Sequence, residues 1–166
     1  MIPRRYIQQW RNKVAWITDA LSFLGPPTVR QTKHNNTLRF SFESEIPPVS
    51  NMKLKVEINT REHFTVFGYT HKPFSIENGW YSGGTPLITY TIEEMAGTKL
   101  RALYQRKKGR DLYDLFTVLN LRDCDYRKII DSYVEYMSFV TDHVPTQKEY
   151  LLNLSKKCED PEFIGD

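Results

Sequence analysis

Apolar positions recur at two different periods along the chain, and the change between them marks out its organisation. After Pro3, the residues Ile7, Trp10, Val14 and Ile17 follow at steps of three and four, which predicts an amphipathic first helix with Arg4, Arg5, Arg11 and Lys13 on its wet side. A short second helix over Asp19 to Leu24 is expected to stop at Gly25-Pro26-Pro27, because proline cannot continue a helix and glycine accepts the left-handed cap. From Thr28 to Ile58 the period becomes two. Segments Thr28–Lys33 and Thr37–Phe42 around a His34-Asn35-Asn36 turn read as a hairpin. Beyond Pro47-Pro48, the residues Met52, Leu54, Val56 and Ile58 alternate with Lys53, Lys55 and Glu57, the pattern of a half-covered strand. A further strand is expected around His63–Tyr69, then an exposed loop over Gly79–Pro86 with Trp80 and Tyr81 at its tip or packed under it, and a short last strand at Leu87–Thr91.

From Thr91 onward the period is helical. Thr91 and Glu94 have the spacing of a capping box, and Ile92, Met95, Ala96, Leu100 and Leu103 line one arc of a helix expected to reach about Lys107 and end by Gly109. Asp111 with Asp114 can cap a second helix carrying Leu112, Leu115, Phe116 and Leu119. Asp125 can cap a third with Ile129, Ile130, Tyr133, Met137 and Val140, and Thr146 with Glu149 opens a last one running to about Lys157. The pattern predicts an α+β fold: a helix-plus-sheet region over residues 1–90, closely packed with a helical region over residues 91–166.

Composition narrows the class without naming an activity. A chain of 166 residues, 40% hydrophobic and 26% charged, can bury a core and is neither disordered nor fibrous. Its two cysteines and four histidines share no ligand spacing, which argues against a zinc module or a disulfide scaffold. No apolar run is long enough to span a membrane and the N-terminus lacks a signal-peptide core, so a cytoplasmic location is expected. The formal charge is only +3, but six basic residues and no acidic one fall between Lys99 and Arg110, a natural contact for a polyanion or simply a solvated helix end.

Three positions depart from pattern. Lys99 falls inside the apolar arc between Met95 and Leu103, so it either snorkels outward or aims its ammonium at a phosphate or carboxylate. Asp111 shares a face with Asp114 and points partly inward, as a helix cap or as a carboxylate orienting Lys99 or a ligand. Glu57 faces away from the apolar side of its strand, flanked by Lys53 and Lys55, either in a cross-strand salt pair or presented to a metal beside other carboxylates, and a single Glu cannot make a two-metal site. Gly83-Gly84-Thr85 reads as a glycine turn rather than a phosphate nest, since Pro86 follows and no helix begins there. Asp123-Cys124-Asp125 precedes a helix, where Asp125 is a cap rather than half of a strand-borne catalytic pair. No Ser or Cys is recognisably paired with a His, and neither GxSxG nor HExxH occurs.

The stretch EEMAGTKLRALYQRKKGRDLYDLF, Glu93 to Phe116, strongly resembles the helical segment that marks the AbiEii/AbiGii family of nucleotidyltransferase-like toxins. LKVEINTRE (Leu54 to Glu62) and HNNTLRFSFES (His34 to Ser44) resemble two of that family's sheet strands, and the likeness covers most of residues 21 to 157. The resemblance implies a partial polymerase-beta-type sheet, Mg²⁺ and a nucleoside triphosphate (NTP). It also implies nucleotide transfer to RNA, in some relatives to tRNA, and a separate antitoxin. Carried over by residue, it makes Glu57 the distal, metal-facing carboxylate, Lys99 the triphosphate contact and Asp111 the acid after the basic stretch, with Asp114 supporting. On their charge alone, Lys53, Lys55, Arg106, Lys107 and Arg110 are further candidate nucleotide or RNA contacts.

The pattern departs from the family between Ala20 and Leu21, where the segment with the GGT-like or GS motif and the DxD pair does not appear. Without those carboxylates, weak or no catalysis by the chain alone is expected. The alternatives are a non-catalytic module binding RNA, nucleotide or antitoxin through the basic helix end, and a site completed by another chain. Surface exposed by the missing strand and helix also points to a homodimer.

Overall fold

The computed structural model describes residues 4–120 and 124–165, with side chains described from residue 12 onward. Pro3, the side chains of Ile7 and Trp10, and Asp123 of the Asp-Cys-Asp sequence lie outside the described residues. Two compact units are present, residues 1–63 and 64–166. The α+β class holds, with five strands in two antiparallel sheets and a helical C-terminal half.

The first unit opens with α1 (Arg4–Ala20), which continues through the expected start of a second helix. Only one 3-10 turn, Ser22–Leu24, follows it, because Gly25 at φ 81 and the two prolines after it leave no room for an α-helical turn. Strands β1 (Thr28–Gln31), β2 (Asn35–Glu43) and β3 (Asn51–Asn59) form a sheet in that order. The hairpin stands where the alternation put it. Its turn, over residues 32–34, is two residues earlier than expected, since Asn35 and Asn36 already pair with Asn59 and Ile58, and Thr32 closes the bend on the Asn35 carbonyl. Leu38 and Phe40 are fully buried, while the opposite face of β3 carries Lys53, Lys55 and Glu57 into solvent.

The second unit departs most from expectation at its start. Residues 63–68 form no strand. Strands β4 (Tyr69–Glu77) and β5 (Ser82–Tyr90) instead make a two-stranded sheet around a turn at Asn78 to Tyr81, so Gly83, Gly84 and Pro86 lie in a strand and not in a loop or glycine turn. A free-standing pair tolerates them because each strand has an open edge where a missing N–H or side chain costs little. Trp80 stands exposed at the tip and is not packed under it.

Helices α2 (Ile92–Gln105), α3 (Gly109–Leu119), α4 (Tyr126–Ser138), α5 (Gln147–Cys158) and α6 (Pro161–Ile164) complete the unit. Asp125 caps α4 through the Arg127 and Lys128 amides, and Thr146 with Glu149 forms a complete capping box on α5. Between α2 and α4 the backbones touch. A Cβ at Gly97 would collide with Ser132 Oγ and lie 2.9 Å from both the Ile129 oxygen and the Tyr133 nitrogen, so only glycine permits this approach. Ala96, Leu103, Leu115, Ile129 and Phe163 form the core, the last delivered by α6, which is capped by Asp160.

Lys157 closes the fold from the far end of the chain. Its ammonium donates to the carbonyls of Leu103, Tyr104 and Arg106, the groups that the end of α2 leaves without helical partners. Burial, helped by the nearby Lys107, pushes this ammonium below the ordinary lysine value. No described helix is long and apolar enough to cross a membrane.

A candidate phosphate-handling cluster on two helices

The chain between α2 and α3 folds so that four predicted residues meet. Helix α2 ends two residues earlier than expected, at Gln105, and Arg106 is extended (φ −129, ψ 160), which turns its side chain back along α3. Gly109 does not terminate α2; it begins α3. Lys108 occupies the N-cap position, which moves Asp111 to the third residue of the helix. Asp111 is therefore not a cap, and its side chain bonds no helix-end amide among the contacts described. It is completely buried instead.

Its partners are cations. Arg106 Nε donates to Asp111 Oδ2 at 2.6 Å and Arg106 Nη2 to Oδ1 at 2.7 Å, the two-pronged geometry in which guanidinium and carboxylate bind most strongly. Lys99 Nζ lies 3.4 Å from Asp111 Oδ1 and 2.5 Å from Asp114 Oδ2. Burial pushes the Asp111 carboxyl up, but the hydrogen bonds and charge of Arg106, followed by those of Lys99, outweigh it and hold the group below its ordinary value. Arg106 is raised in turn, chiefly by its bonds to Asp111. Lys99 thus resolves toward a carboxylate pair, with its side chain still 35% exposed.

The remaining predicted residues stand elsewhere. Lys107 donates to Asp160 at 2.9 Å, while Arg110 is exposed at the start of α3. Glu57 belongs to the first unit. It is exposed, lies 3.2 Å from Lys55 Nζ two residues back on the same strand and accepts from Asn35 Nδ2 on β2 at 3.5 Å, so its ion pair is within β3 and not cross-strand; Lys53 is exposed on the same strand. Thr91 and Asp125 act as caps where expected, and Asp125 is committed to the α4 amides.

One buried acid escaped the sequence reading in its actual role. Glu94 forms only half of the anticipated box: Thr91 Oγ1 accepts from the Glu94 amide at 3.2 Å, but the Glu94 carboxylate turns away into the unit. There it accepts from Thr65 Oγ1 at 3.1 Å, Val66 N–H at 2.8 Å, Phe67 N–H at 3.0 Å and Tyr136 Oη at 2.8 Å. The available signal was Thr91-x-x-Glu94 itself, whose spacing cannot tell a local acceptor from one recruited by a distant segment.

A family model described as the nucleotidyl transferase AbiEii toxin of type IV toxin-antitoxin systems matches residues 11–162. The chain belongs to the AbiEii family. No curated protein and no solved structure matches it. The AbiEii match extends across both units and contains all of Glu57, Lys99, Arg106, Asp111 and Asp114.

Nucleotidyltransferases as a class suggest Mg²⁺ and an NTP, so the fit of these side chains matters. An octahedral Mg²⁺ needs carboxylate oxygens free to bind it. Asp111 has both oxygens engaged by Arg106 and Lys99, and Glu57 is engaged by Lys55. Among the described residues, no group of three or more His, Cys, Asp or Glu is placed to hold a metal. These residues do not fit an Mg²⁺ ion. Lys99 itself is not sealed off, since its side chain is 35% exposed and its partner Asp114 is 43% exposed.

Proposed function

We propose that this AbiEii homologue retains the triphosphate-handling helices of a nucleotidyltransferase toxin and transfers no nucleotide, or very little, on its own. The observation that carries the reading is the Lys99 position: its ammonium is bracketed by a buried Asp111, itself fixed by Arg106, and by a half-exposed Asp114. Asp111 and Arg106 would hold Lys99 in place. Asp114 would release it to an incoming triphosphate. Arg110 would add a phosphate contact, and Lys53 and Lys55 would offer a separate basic strand face on the first unit, with RNA, such as tRNA, as the acceptor in intact relatives and an antitoxin as the regulatory partner.

Catalysis asks for more than binding. Phosphoryl transfer depends on preorganised positive charge around the triphosphate, normally metal ions on several carboxylates. Glu57 would have to leave Lys55 to contribute, and the strand-borne carboxylate pair is not recognisable in the sequence. A purely RNA-binding module is less well supported, because Arg106 and Lys107 from its basic end are each committed to a carboxylate of the same chain.

Equilibrium dialysis with labelled ATP and GTP tests the binding half. Saturable binding is expected, and Lys99→Ala should weaken it about tenfold or more, the loss of a charge-assisted contact. Equal affinity in wild type and Lys99→Ala would overturn the assignment.

A further inference from the structure

Helix α2 ends on a charge supplied by another helix. Lys157, near the end of α5, is buried, and its ammonium donates to the carbonyls of Leu103, of Tyr104 at 2.7 Å and of Arg106 at 3.0 Å. Tyr150, two turns earlier on α5, donates from its hydroxyl to the Leu100 carbonyl at 3.0 Å, so α5 is fixed to α2 at two places. Orphan carbonyls at a helix end are ordinarily met by water or by the amides around a following glycine, and neither requires a charge to leave solvent. A buried ammonium is a costly substitute. What it adds is reach, since one point charge with three donors gathers three carbonyls, the last of them beyond the helix.

That last carbonyl belongs to Arg106. The Arg106 amide donates to the Ala102 carbonyl at 2.9 Å and its own carbonyl accepts from Lys157, so both backbone polar groups of this extended residue are pinned. From a backbone held there, the side chain runs to Asp111, which accepts from Arg106 Nε and Nη2 and, on Oδ1, from Lys99. A series of direct contacts thus leads from Lys157 through Arg106 and Asp111 to Lys99. The neighbouring tie, Lys107 to Asp160, is made by a lysine side chain that is 67% exposed and can do little to hold the link.

We infer that Lys157 is the positioning residue of this cluster: by gripping the Arg106 carbonyl it keeps the guanidinium on Asp111, and so keeps Lys99 aimed. The inference rests on the reading of Lys99 as the triphosphate contact. All three ammonium protons of Lys157 are spent on backbone carbonyls, so it acts only through Arg106. Without it, Lys99 keeps its charge and loses its fixed place, a smaller loss than removing the charge itself.

Nitrogen-15 NMR of the Arg106 Nε–H group, paired with equilibrium dialysis of labelled ATP, tests this on the full chain. In the wild type that resonance is expected downfield and slow to exchange, as for a proton held in a short bond to a carboxylate. Lys157→Met should keep the helical circular dichroism, move the resonance to the position of free arginine side chains and weaken ATP binding about fivefold, less than Lys99→Ala does. Lys157→Gln, whose amide can meet at most two of the three carbonyls, carries the same expectation should the methionine variant fail to fold. Asp160→Ala removes the α6 cap and the Lys107 tie, and should lower stability without moving either readout. An Arg106 resonance unchanged in Lys157→Met, one shifted as far by Asp160→Ala, or ATP binding at wild-type strength once the resonance has moved overturns the inference. A wild type that binds no ATP overturns the triphosphate reading, while the Arg106 resonance still decides whether Lys157 sets the cluster.

Discussion

Among its described residues the second unit has two fully buried carboxylates, Glu94 and Asp111, and solves the problem of each differently. Glu94 is answered by neutral donors: two backbone amides, a threonine hydroxyl and a tyrosine hydroxyl. The amides come from residues 66 and 67, in a stretch that forms no strand, so the carboxylate takes the place of the missing ladder. Asp111 is answered by cations on long side chains that reach solvent, with Arg106 half exposed and Lys99 about a third exposed. The first arrangement has no alternative partners and is architectural. The second can rearrange at Lys99, which can exchange the half-exposed Asp114 for water while Arg106 stays on Asp111, and a cluster that can rearrange is the one suited to binding an anion.

Removing Glu94 is the severest way to break this contrast. Glu94→Ala leaves several buried donors without an acceptor and should cost about 4 kcal/mol in chemical denaturation, with loss of hydrogen-exchange protection at the Val66 and Phe67 amides. A cost below about 1 kcal/mol would show that the segment holds itself. Asp111→Asn should cost less, about 2 kcal/mol, since Arg106 and Lys99 can turn to solvent and are not trapped unpaired.

The pH dependence sharpens the same point. The folded Asp111 carboxyl is held below its ordinary value, so its stabilisation is fully present above the unfolded value of about 3.9 and is lost as pH falls through the folded one. Denaturation midpoints across the acid range should therefore drop in the wild type and drop less in Asp111→Asn. Equal acid limbs would contradict the charge-paired reading. Smallest of all is Asp114→Asn, expected to change stability by less than about 1 kcal/mol because this carboxylate is 43% exposed.

Much of the helical half was legible because helix boundaries are local. Thr91, Asp125 and the Thr146–Glu149 box cap where their spacing placed them, and the alternation from Met52 to Ile58 gave β3. What escaped was non-local. Val66 and Phe67 look like strand residues until Glu94, a distant residue, takes their amides. Asp111 looks like a cap until Arg106 turns back upon it. Lys157 follows Tyr150 and Leu154 at helical steps, a lysine on an inward face like Lys99, and that signal could have marked it as the clasp on the end of α2. Helix α6 is only four residues long, too short for a periodic signal, although Asp160-Pro161 is a helix start.

The central claim separates binding from transfer, and one assay addresses it directly. The purified chain, incubated with labelled NTPs, a total tRNA pool and millimolar Mg²⁺, should leave the label in free nucleotide at the level of a protein-free control. Label appearing in tRNA, and disappearing with Lys99→Ala, would show that this AbiEii chain catalyses transfer unaided and would contradict the account.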